Sequence, residues 1–173
     1  MGPASLPVPG GTVEEARHPF DYNPRCLKRD LTTEIIRRYA NISSVVNLIL
    51  QNNDIWDFEM VMQGILANGE IGVHGGGHYA MGGDPGRDFY VSPGDPAFFL
   101  HHGMIDKVWW IWQNLDRKNR LTAISGTGTF LNNPPSANTT LDTVIDLGYS
   151  AGTPMPMKDL MSTTDGPFCY VYE

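Results

Sequence analysis

The stretch SPGDPAFFLHHGMIDKVWWIWQNLD, residues 92–116, decides how this chain is read. Asp95 is a residue type that caps helices, and Pro96 suits the first helical position, where no N–H is needed. The spacing predicts a helix from Pro96 to about Lys118. Phe98, His102, Ile105, Trp109 and Trp112 recur at helical intervals, and His101, Met104, Val108, Ile111 and Leu115 form a neighbouring stripe. Both stripes are apolar apart from the histidines, so the helix is expected to be central and buried. At this spacing Trp109, Trp110 and Trp112 read as core rather than as a ligand platform.

Working outward, the histidines come into view. Four of the five lie between His74 and His102; only His18 is remote. Imidazole is a common ligand for zinc, copper and iron at neutral pH. In VHGGGHYAMGG, residues 73–83, His74 and His78 are four apart, which on a helical turn puts them on one face about 5–6 Å apart at Cβ. The glycines between them each cost about 1 kcal/mol in a helix relative to alanine, so at most one helical turn is expected there. A third ligand is expected from the long helix. His102 is preferred to His101 because Asp106, one turn on, can accept its far ring N–H and fix its tautomer. His101 is then placed beside the site, as a group supporting the ligands or as a proton acceptor. Gly75 stands where the H-E-x-x-H zinc pattern has glutamate, which argues against a metalloprotease. Spacing alone does not separate zinc from copper.

The rest of the chain sets bounds. With 173 residues, 41% of them hydrophobic and 18% charged, one domain spanning 1–173 is expected. A net charge of −7 argues against nucleic acid as a partner. No apolar run is long enough to span a membrane. Residues 1–26 read as an extended Pro- and Gly-rich arm. Thr32 or Thr33 is placed as a helix cap, Ile42–Leu50 reads as helix or strand, and Asp54 is placed as the cap of a helix through Met62. The basic stretch from Arg25 to Arg29 reads as a solvated face or an ion-pair anchor. The tail GPFCYVYE suits a terminal strand. Cys26 and Cys169 allow one disulfide or two free thiols. The sequons at Asn41 and Asn138 leave secretion open, and no signal peptide is seen at the N-terminus.

HGGGHYAMGG followed by D-P-x-F-x-x-H-H-x-x-x-D-x-x-W resembles the second copper-binding motif of type 3 copper proteins, the tyrosinases, catechol oxidases and haemocyanins. The likeness is strongest to fungal tyrosinase-like proteins. NPRCLKRDL resembles the segment this family carries between its two copper motifs, and Tyr170-Val171-Tyr172 resembles its Y-x-Y signature. The resemblance implies a mainly α fold with long loops, half of a four-helix-bundle catalytic domain, and short strands near the C-terminus. It implies that His74, His78 and His102 bind one copper of a pair, with His101 the non-binding histidine and Asp106 the family's buried aspartate. It implies oxidation of o-diphenols, or of monophenols, to o-quinones by O2. Gly75 stands where monophenol-hydroxylating members often carry an asparagine that holds a water with a nearby glutamate, which points toward diphenols. Gln63, Glu59 and Glu70 are the candidates for the water-holding partner. Phe89 falls near a bulky gate residue. The first copper motif is expected on another stretch of polypeptide, in the same protein or a separate one. A non-enzymatic copper- or O2-binding module, or a degenerate enzyme, is the alternative.

Overall fold

The computed structural model describes residues 26–65, 68–150 and 152–173. The expected N-terminal arm lies outside them, apart from its last residue. Among the described residues six α-helices follow in order: α1 Thr33–Tyr39, α2 Ile42–Gln51, α3 Ile55–Gln63, α4 Gly72–Met81, α5 Ala97–Leu115 and α6 Arg117–Arg120. Two short strands, β1 Val144–Ile145 and β2 Met155–Pro156, pair antiparallel with Val144 opposite Pro156. The fold is thus mainly α with long loops and small strands toward the C-terminus, as expected. Among the described residues no helix is long and apolar enough to cross a membrane.

Side-chain caps set several helix starts. Asn41 Oδ1 accepts the Ser44 N–H at 3.0 Å, and its Nδ2 donates to the Arg37 carbonyl at 2.7 Å. One carboxamide therefore closes α1 and opens α2, which resolves Ile42–Leu50 as helix. Asp54 caps α3 as expected, accepting the Asp57 N–H at 2.9 Å. Thr32 occupies the cap position of α1 but makes no side-chain bond there. Asp95 caps α5 through the Ala97 N–H at 2.9 Å. That helix ends at Leu115, three residues before the expected Lys118, and α6 resumes after Asp116.

Three expectations need correction. The glycines of 75–77 do not hold α4 to one turn, since it runs through ten residues. A Cβ on Gly76 would lie 2.9 Å from the Tyr39 Cβ and 3.2 Å from the Ala40 Cβ. The glycine lets α1 pack tightly on α4, and that packing offsets its poor propensity. Helix α5 is not buried all round: Phe99, Leu100 and Met104 are 65%, 79% and 56% exposed. The tail 166–173 forms no strand.

The residues fall into two compact units. The first draws on 26–45 and Met62–Ile105. Here residues 28–32 run along the end of α4, with Lys28 and Asp84 exchanging backbone bonds of 2.9 Å, Asp30 bonded to Met81 and Thr32 to Ala80. Arg29 is the ion-pair anchor of the basic stretch: its Nε and Nη2 donate to the two Asp95 oxygens at 2.9 and 2.7 Å. One buried carboxylate thereby caps α5 and ties this segment to it.

The second unit draws on Val46–Val61 and Asp106–Glu173. Its centre is Trp112, fully buried, with its ring 4.7 Å from Phe58 and its Nε1 donating to the Asn52 carbonyl at 2.6 Å. The Arg120 guanidinium lies 4.4 Å over the indole. Trp112 is core, as its spacing predicts. Cys26 and Cys169 are both free and exposed.

Candidate metal centre

Helix α4 carries His74 and His78 one turn apart, and α5 carries His101 and His102. The Nε2 atoms of His74, His78 and His102 form a near-equilateral triangle. Its sides are 3.2 Å for His74–His78, 3.3 Å for His74–His102 and 3.1 Å for His78–His102.

The other ring nitrogens explain what these atoms present. His74 Nδ1–H donates to Gln63 Oε1 at 2.7 Å, and His78 Nδ1–H donates to the Gly86 carbonyl at 2.9 Å. Both rings are thereby fixed in the tautomer whose Nε2 carries a lone pair. Burial, reinforced by the neighbouring imidazoles, lowers His74 to about 4, so it is neutral at pH 7. Burial also lowers His101 and His102. Lone pairs facing one another at such distances repel unless a cation draws them together. Three imidazole nitrogens at about 2.0–2.1 Å from one tetrahedral ion would be about 3.3 Å apart, which the triangle matches. The donor set fits a metal that accepts imidazole.

A second grouping is geometrically open, because ring nitrogens of His74, His78 and His101 also lie within 4.8 Å of one another. His101, however, uses its Nε2–H on the His74 carbonyl at 2.8 Å. The tighter triangle is the one through His102. Phe98, one turn before His102, stacks on its ring at 3.9 Å and 24°.

The remaining expected site residues fall as follows. Asp106 is expected from its spacing to accept the ring N–H of His102. Its Oδ2 instead accepts the hydroxyls of Tyr170, at 2.9 Å, and Tyr172. Desolvation, then the bond to Asp106, pushes Tyr170 up to about 12. Gly75 is half-buried on α4, where a Cβ would meet only the Ile71 side chain, at 3.1 Å. Phe89 is 68% exposed with its ring edge-on to Tyr90 at 5.4 Å. Of the three water-holding candidates, Gln63 is the one bonded to His74. Glu59 is half-buried and raised to about 7 by desolvation, and Glu70 is exposed. Sequence reasoning missed the Gly86 carbonyl, which has no side-chain signal. It also missed Gly77, whose place beside two more glycines hid its particular role.

The common central domain of tyrosinase matches residues 1–115. The chain belongs to the tyrosinase family. It is 42% identical to tyrosinase P of Aspergillus terreus, over 90% of this chain and 43% of that one. It is 36% identical to the N-acetyl-6-hydroxytryptophan oxidase ivoB of Emericella nidulans, over 100% of this chain and 49% of that protein. A solved structure of a variant polyphenol oxidase from Thermothelomyces thermophila superposes with a TM-score of 0.84 at 42% identity, covering 98% of this chain and 48% of that one. The chain thus spans about half the length of these relatives. Membership in this family of copper oxidases implies copper as the metal, and a three-imidazole site is chemically suited to it.

Proposed function

We propose that His74, His78 and His102 hold one copper of a type 3 pair, and that the complete site oxidises o-diphenols to o-quinones with O2. The observation that carries this reading is the convergence of three Nε2 atoms, two of them tautomer-fixed by Gln63 and Gly86. Copper supplies the redox couple between the phenol and O2 when bound, and two o-diphenols with one O2 give two o-quinones and two waters. The chain's own residues hold and orient. Gln63 and Gly86 keep the His74 and His78 lone pairs inward, and Phe98 keeps the His102 ring from turning.

Two positions support a diphenol rather than a monophenol as the substrate class. Gly75 offers no amide to hold a water that would deprotonate a monophenol. Phe89 is bulky and exposed enough to restrict ring entry as a gate. The second copper needs three more histidines, and this sequence offers only His18 beyond the cluster. We therefore assign the first copper site to further polypeptide, either the same protein or a separate chain. Copper titration with metal analysis tests the reading. One copper per chain is expected, and His102→Ala should abolish it; unchanged binding in that variant would overturn the ligand set.

A further inference from the structure

We propose that His101 and Gly77 form one positioning device that sets the distance between the two ligand-bearing helices. It rests on the assignment of His74, His78 and His102 as copper ligands. The His101 ring leaves α5 next to His102 and lies on the face of α4 between the other two ligands. Its Nε2–H donates to the His74 carbonyl at 2.8 Å. Its ring is near-parallel to that of His74, with centroids 5.6 Å apart at 20°, and edge-on to that of His78, at 5.0 Å and 87°. One side chain therefore touches both α4 ligands while its neighbour in sequence is the third.

The ring fits only because residue 77 has no side chain. A Cβ there would fall 2.1 Å from the His101 Cε1 and 2.5 Å from each of its ring nitrogens. Gly77 and His101 are thus a socket and its key. A phenylalanine would fill the socket but give the His74 carbonyl no donor. Histidine supplies both the flat ring and an N–H at its tip. Ligand geometry at a metal tolerates little error, so a brace that sets this spacing acts on affinity without touching the ion.

The test measures Cu(II) affinity of the whole chain by competition with a chelator, beside the melting temperature of the metal-free protein. His101→Phe should weaken copper about 10–100-fold, while the metal-free melt moves little. His101→Gln should restore most of the affinity, because its amide N–H reaches the same carbonyl. Gly77→Ala should weaken copper by displacing the ring, and should add nothing once His101→Ala has removed it. Wild-type affinity in His101→Phe, or independent and additive effects of Gly77→Ala and His101→Ala, would overturn the proposal. His74→Ala serves as the reference. If it leaves copper binding intact, the ligand assignment itself fails. If it abolishes binding while His101→Phe does not change it, only the positioning role fails.

Discussion

His74 uses both of its ring nitrogens, and each use depends on the other. Gln63 Oε1 accepts from Nδ1 at 2.7 Å, which leaves Nε2 with the lone pair a metal needs. Replacing Gln63 with leucine frees the imidazole to adopt the opposite tautomer and leaves Nδ1–H without its partner. Copper affinity should fall about 10–100-fold, and Gln63→Glu, which keeps an acceptor in place, should retain it. Isothermal titration of the two variants separates loss of the acceptor from loss of bulk; equal affinities would refute the role. Gly75 permits a second prediction at this scale. Its Cβ position is restricted only by Ile71 at 3.1 Å, so Gly75→Asn is accommodated with a small shift of that side chain. In the complete enzyme it should raise monophenol hydroxylation relative to diphenol oxidation, measured as the ratio of initial rates on matched substrates. The convergence of the His74, His78 and His102 rings was legible from sequence, because imidazoles at these intervals can reach one point. The partner of Asp106 was not legible. One turn of helix places its carboxylate within reach of several groups, and sequence spacing does not see the tail tyrosines that take it.

At the scale of elements, glycine decides what the sequence left open. Composition argues against a helix over 72–81, yet α4 forms, because the missing side chains admit α1 at Gly76 and His101 at Gly77. Local propensity is readable from sequence; the neighbour that overrides it is not. Two substitutions test this. Gly103→Ala on α5 meets nothing within 4 Å and should stabilise the chain by about 0.5–1 kcal/mol, the ordinary propensity gain. Gly76→Ala gains the same propensity but drives a Cβ to 2.9 Å from the Tyr39 Cβ, and should destabilise by about 1–2 kcal/mol net. Urea denaturation of both variants gives the comparison, and a stabilised Gly76→Ala would refute the close-packing account. The start of α5 carries a pH dependence. Its bond to Arg29 is the main cause holding the Asp95 carboxyl below its ordinary value of 3.8, with the Ala97 N–H assisting. A depressed carboxyl stabilises the fold above its unfolded value and loses that contribution as pH falls through its folded value. Stability should therefore drop below about pH 4, and Asp95→Asn should melt lower at pH 7 and show a shallower acid limb.

For the molecule as a whole, the histidine count and the exposed apolar surface point the same way. We assign three histidines to one ion and His101 as their brace, which leaves His18 alone. Helix α5 leaves Met104 largely exposed although its stripe reads as core, and Phe99 and Leu100 are exposed as well. The chain spans about half the length of its relatives, and we place the first copper site on further polypeptide. The sequence made the apolar stripes legible, but not which of them this stretch of chain covers by itself, since periodicity records that a face is apolar and not what covers it. The consequence for activity is direct. Two-electron oxidation of a diphenol by O2 at a type 3 site requires both coppers, so the 173-residue chain should bind copper without turning over catechol. Quinone formation should appear when polypeptide bearing the first three-histidine motif is supplied, in one longer chain or as a second one. It should then disappear again with His102→Ala. Quinone absorbance, followed alongside copper content, makes the comparison. Turnover of catechol by this chain alone, with two coppers bound, would show that the site is complete without any further polypeptide.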